Sequence, residues 1–138
     1  METPRKSLVA IGTAFILSAA VVAGCGGSDK PDYCDKVDTL QDSITALTSV
    51  KVEAGVLDNV RSDLETVQSD AEAAVDAARS DFPDETSNLE DSIDTASDSI
   101  NDLPESPSAS DIAVVALNVS AIANAAKSFE EATSSACD

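Results

Sequence analysis

The sequence predicts an all-α fold: an antiparallel up-down-up-down four-helix bundle over residues 32–138. Three observations carry this expectation. Four segments each place apolar residues at alternating steps of three and four, a spacing that keeps one helix face against a neighbour and does not suit a strand. Prolines stand between the second, third and fourth segments, where a helix cannot continue. Beyond residue 24 the only aromatic residues are Tyr33, Phe82 and Phe129, and the chain has no His or Trp. A core of Leu, Ile, Val and Ala favours close helix packing over a large ligand cavity.

The chain opens METPRKSLVAIGTAFILSAAVVAG, with Arg5 and Lys6 as a short positive stretch and no charge from residue 7 to residue 24. This is the layout of a secretory signal peptide, although the uncharged run is also just long enough for one transmembrane helix. The run is rich in Gly, Ala and Ser and ends in Val22-Ala23-Gly24-Cys25, followed by Gly-Gly-Ser. Those four residues resemble the lipobox of bacterial lipoproteins. The resemblance implies removal of residues 1–24 and a diacylglyceryl group on the Cys25 thiol. It also implies a place on the extracytoplasmic face of the cell membrane. Two acyl chains on one residue suffice for stable anchoring. Residues 25–31 then form a flexible tether ended by Pro31.

The first helical segment runs Tyr33, Val37, Leu40, Ile44 and Leu47, with Asp32 placed to cap it. The phase then breaks, and a turn is expected near residues 51–55, where Gly55 is the only marker. The second segment runs Leu57, Val60, Leu64, Val67, Ala71, Ala74 and Ala78. Pro83 separates it from the third, whose seam is Leu89, Ile93, Ala96, Ile100 and Leu103. Ser87-Asn88-Leu89-Glu90 has capping-box spacing for that third helix. Pro104 and Pro107 precede the fourth seam, Ile112, Val115, Val119, Ile122, Ala126 and Phe129, for which Ser110 is the expected cap. Short links between amphipathic helices imply antiparallel neighbours. "LQDSI" at 40–44 resembles "LEDSI" at 89–93, and "AARS" at 77–80 resembles "AAKS" at 125–128. These matches raise either a duplicated helical hairpin or the chance similarity of Ala/Ser/Asp-rich helices.

With Cys25 acylated, Cys34 and Cys137 remain as a pair. Export places them where a disulfide can form, and the proposed bundle brings the start of helix one and the end of helix four to one pole. Free thiols and an intermolecular bridge are the alternatives. Closing a loop of about a hundred residues contributes roughly 4 to 5 kcal/mol in the chain-entropy model.

Charge excludes several functions. The leader holds two of the eight basic residues and one of the 26 acidic ones, so the remainder carries a net charge of −19. Nucleic-acid binding needs basic residues, and anionic headgroups repel this surface, so membrane association rests on the tether. Catalysis is not expected. Ser-based nucleophilic chemistry wants a His or Lys base, and sugar cleavage wants a cleft with stacking aromatics. No cofactor is expected, and no zinc, since His and free Cys are lacking. Asp91, Asp94, Asp98 and Asp102 form a stripe at steps of three and four. It is either a solvated face or a docking strip for a cation or a basic partner. A Ca²⁺ site needs oxygens that converge from a loop, and none of that pattern occurs.

The fourth segment is apolar on more than one face, with Val114, Leu117, Ala121 and Ala125 beside its seam. Either this is the most buried helix, or the second stripe is a docking surface for another protein. The expected function is a non-catalytic, surface-anchored module that binds or spaces an envelope protein. The alternative is a binding protein for a small apolar or cationic ligand held between helices. The oligomeric state is not legible.

Overall fold

A computed structural model describes residues 30–138. Cys25, the lipobox and nearly all of the tether lie outside the described residues. Four helices account for most of that span: α1 Tyr33–Ser49, α2 Leu57–Ala78, α3 Pro83–Asn101 and α4 Ala109–Cys137. A 3₁₀ turn, Ala54–Val56, leads into α2 at the expected first junction. No strand occurs among the described residues.

The helices form the expected antiparallel bundle. Each packs most closely on its hairpin partner, α1 with α2 and α3 with α4, and the hairpins join through α1 with α4 and α2 with α3. Contacts at the two poles fix the directions. At one pole, the Tyr33 ring at the start of α1 meets the Phe82 ring between α2 and α3 edge-on, with centroids 5.7 Å apart. The Cys34–Cys137 bond joins the start of α1 to the end of α4 at that same pole. At the other pole, Arg61 near the start of α2 donates from Nη2 to the carbonyl of Ile100 near the end of α3, at 3.4 Å. This pattern is a pair of hairpins packed the same way, which is the arrangement the matched segments suggest.

The core is the set of apolar seams. From Tyr33 to Leu47 on α1, Val60 to Ala78 on α2, Leu89 to Ile100 on α3 and Val115 to Phe129 on α4, every seam residue is buried. Leu57, Leu103 and Ile112 are only half-buried. They sit where the helices begin or end at the second pole and fewer neighbours surround them. Val75 and Cys34 join the core beyond the expected seams. Thr86 and Thr133 are buried too, each with its hydroxyl donating back along its own helix, to Phe82 O at 2.8 Å and to Phe129 O at 3.0 Å. That bond removes the cost of burying an unpaired hydroxyl. No buried side-chain polar atom among the described residues lacks a partner.

Three capping expectations need correction. The third helix begins at Pro83, a full turn before Ser87, so Ser87-Asn88-Leu89-Glu90 lies inside α3 and caps nothing. Proline is suited to that first position because its fixed φ matches the helix and its missing N–H has no partner there anyway. Asp84 and Glu85 follow in the first turn, where carboxylates favour the helix dipole. The cap of α4 is Ser108, two residues before Ser110. Its hydroxyl accepts from the Asp111 N–H at 3.3 Å while the Asp111 carboxylate accepts from the Ser108 N–H at 2.7 Å, a reciprocal capping box. Asp32 stands at the start of α1, but its side chain makes no capping hydrogen bond.

Candidate functional site

Two sites suggested by the sequence fall within the described residues. The first is the cysteine pair. Cys34 and Cys137 are bonded, sulfur to sulfur at 2.09 Å with Cα atoms 5.6 Å apart, across 103 residues of sequence. Cys34 is buried and Cys137 half-buried, so the bond closes the bundle at the pole where α1 begins and α4 ends.

The second is the added stripe on α4. Val114 is 50% exposed and Leu117 is 70% exposed, and these are the only large hydrophobic side chains exposed among the described residues. Ala121 is exposed and Ala125 half-buried against the core. The stripe therefore stands outside the core along most of its length and enters it only at Ala125. Its inner neighbour Asn118 is half-buried and donates from Nδ2 to Ser99 Oγ on α3. From residue 112 to residue 126 the helix carries no charged side chain. By length and composition alone α4 would suffice to cross a membrane. In the bundle that apolarity is shared between the core seam and the exposed stripe.

The arrangement of α3 beside α4 makes a groove of about 360 Å³ with Asn88, Asp91, Ser92 and Thr95 on one wall and Asn118 and Ala121 on the other. A second groove of about 370 Å³ runs between α2 and α3, where Glu72, Glu90, Asp91 and Asp94 approach Ala71 and Ile93. Both open to solvent on the outside of the bundle. The four aspartates of that stripe thus divide: Asp94 faces the α2 groove, and Asp91 borders both. Asp98 is exposed further along α3 and Asp102 just past its end. None of these carboxylates converges with others into a group of three that would hold a metal ion, among the described residues.

Ion pairs are few and exposed. Arg79 bridges α2 to Glu90 on α3 at 2.6 Å, and Lys127 lies 3.8 Å from Glu131 on α4. Ser43 on α1 donates to the Asp70 carboxylate on α2. The Asp111 carboxyl is perturbed. Hydrogen bonds from the hydroxyl and then the backbone N–H of Ser108 hold it below its usual range, against a small opposing effect of desolvation. Sequence reasoning overlooked that pair. The signal was present in Ser108-Ala109-Ser110-Asp111, where Asp replaces the usual Glu at the third helical position. No protein-family model, curated protein or solved structure matches this chain.

Proposed function

We propose that the protein is a non-catalytic lipoprotein of the cell envelope. In this reading Cys25 carries the lipid anchor, the short tether holds the bundle near the membrane face, and α4 docks a partner protein. The observation that carries the docking role is the exposure of Val114 and Leu117 on a helix whose core seam is already complete. A helix needs one apolar face to join a bundle, and this second one is surplus to that need. The lipobox resemblance supports the anchor, and the net negative charge supports a tether rather than direct adhesion.

The interhelical grooves are open and bordered by carboxylates, which favours a protein partner over a small apolar ligand. The test is crosslinking in cells that express the anchored chain, with the crosslinked sites read by mass spectrometry. Crosslinks to a reproducible partner at Val114, Leu117 and Ala121 are expected, and a charge at Leu117 should abolish them. Labelling with a fatty-acid analogue should be lost in Cys25→Ser. Crosslinks scattered evenly over the four helices would defeat the docking role, and retained label would defeat the anchor.

A further inference from the structure

The α3–α4 groove places an apolar edge and an acidic edge side by side. The apolar edge is Val114, Leu117 and Ala121 on α4. The acidic edge is Asp91 with Asp98 and Asp102, which recur at steps of seven and four along the outside of α3. Asp91 and Ala121 line the same groove, and the Asn118–Ser99 bond sets Leu117 level with Asp98, so the two edges run side by side. The floor between them is neutral and polar, with Asn118 bonded to Ser99 and with Ser92 close by.

We infer that this groove receives an amphipathic helix whose apolar stripe is flanked by Lys or Arg residues. The inference rests on the reading of α4 as a docking face and specifies the partner's chemistry. Charge complementarity decides the occupant. An apolar stripe laid on Val114 and Leu117 brings the neighbouring row of a partner helix over Asp91, Asp98 and Asp102. Basic residues in that row gain from the acidic edge, whereas acidic ones are repelled by it. A second copy of this chain is opposed on the same ground, since two molecules of net charge −18 would bring acidic surfaces together. An anionic lipid surface is opposed likewise. Among the described residues no Lys or Arg pairs with Asp91, Asp98 or Asp102: Arg79, the nearest basic residue in sequence, is engaged with Glu90 and Asp76.

The test uses the full chain in detergent micelles and peptides of about 18 residues, roughly 27 Å of helix. Three peptides share one Leu stripe and differ only in the flanking row, which is Lys, Ser or Glu. Fluorescence anisotropy should rank them Lys above Ser above Glu. Leu117→Glu is the decisive variant, because it adds negative charge and so strengthens any nonspecific attraction for a cationic peptide. It should nonetheless weaken the Lys-flanked peptide about tenfold or more, as loss of a central apolar anchor does. Asp91→Asn with Asp98→Asn should weaken it several-fold and flatten its salt dependence. Both sites are exposed, so the variants should fold, which circular dichroism would verify.

Equal binding of the three peptides overturns the charge specificity while leaving the docking role standing if α4 crosslinks persist in cells. Lys-flanked binding that survives or strengthens in Leu117→Glu overturns the inference and the docking face together. So does Lys-flanked binding matched by a scrambled peptide lacking the Leu stripe. Self-association of the chain lost on Leu117→Glu would overturn the inference in favour of a second copy.

Discussion

The two long helices, α2 and α4, solve the same internal problem and present opposite exteriors. Aligned through their matching "AARS" and "AAKS" segments, Val67, Ala71, Ala74 and Ala78 correspond to Val115, Val119, Ile122 and Ala126, and all eight are buried. One step around each helix the likeness ends. Thr66 and Ser69 on α2 stand where α4 has Val114 and Leu117. Glu65, Glu72 and Asp76 complete an acidic exterior on α2, whereas α4 is uncharged over the same stretch. Bundle formation constrains only the inward seam, so the exteriors are free to differ. The apolar exterior of α4 is therefore not something bundle formation requires, and it is what the proposed docking role draws on.

The largest effect should come from cutting the one covalent tie, which α4 has and α2 lacks. Replacing Cys34 and Cys137 by Ser should lower unfolding stability by about 4 to 5 kcal/mol in the chain-entropy model, measured by urea denaturation. A large share of a small domain's stability would then be gone. A loss under 1 kcal/mol would mean that residual structure already holds the termini together in the unfolded chain.

The interiors of α2 and α4 differ in side-chain size, and substitutions of opposite sense test whether that difference is a fit. Phe129→Ala on α4 removes the largest fully buried side chain and should cost about 3 to 5 kcal/mol. Ala74→Leu on α2 adds volume where the Cβ is fully buried and should cost about 1 to 3 kcal/mol. Stabilisation by Ala74→Leu would reveal slack beside α2 and undo the idea that small residues there set the helix spacing.

A smaller effect concerns how α4 starts. It has a reciprocal side-chain cap, while α2 follows a 3₁₀ turn with none. Ser108→Ala should cost about 1 kcal/mol and should let the Asp111 carboxyl titrate closer to its usual value. The folded carboxyl is held low by Ser108, so the cap's contribution is complete above the unfolded group's value. It is lost as pH falls through the lower folded value. Amide exchange at residues 109–112 should quicken over that acid range in the native chain and show a smaller step in Ser108→Ala, where only the backbone N–H still holds the carboxylate.

The smallest effect on stability should be an exchange of the exteriors themselves. Leu117→Ser and Ser69→Leu each alter exposed positions and should change stability by less than about 0.5 kcal/mol. Partner crosslinking, by contrast, should fall only in Leu117→Ser. Equal loss in both would place the docking surface elsewhere.

Much of this architecture is legible in the residues, because seam spacing and helix-breaking prolines are local signals. The four segments and the first turn near Gly55 follow from them, whereas the Cys34–Cys137 bond is one of three alternatives among which the bundle geometry decides. Helix starts are less legible. Several serines compete for each cap, and backbone geometry at Pro83 and Pro107 decides among them. That is why Ser87 and Ser110 lose that role, while Ser108 takes it with an unnoticed Asp111. The candidate site lies further still from the sequence. The stripe on α4 and the aspartates along α3 are each visible in one dimension, but not that Asp91 and Ala121 meet across one groove.

By itself the sequence determined the four helices and their antiparallel order, since both depend on period and punctuation, and it left the Cys34–Cys137 bond and the exposure of the second α4 stripe among alternatives. Only the tertiary structure decided which way that stripe faces. The rotation of α4 about its axis is set by Val115, Ile122 and Phe129 seeking the core together. That rotation leaves Val114 and Leu117 in solvent beside α3, because a helix packed through one seam has no freedom to bury a second without another neighbour to cover it.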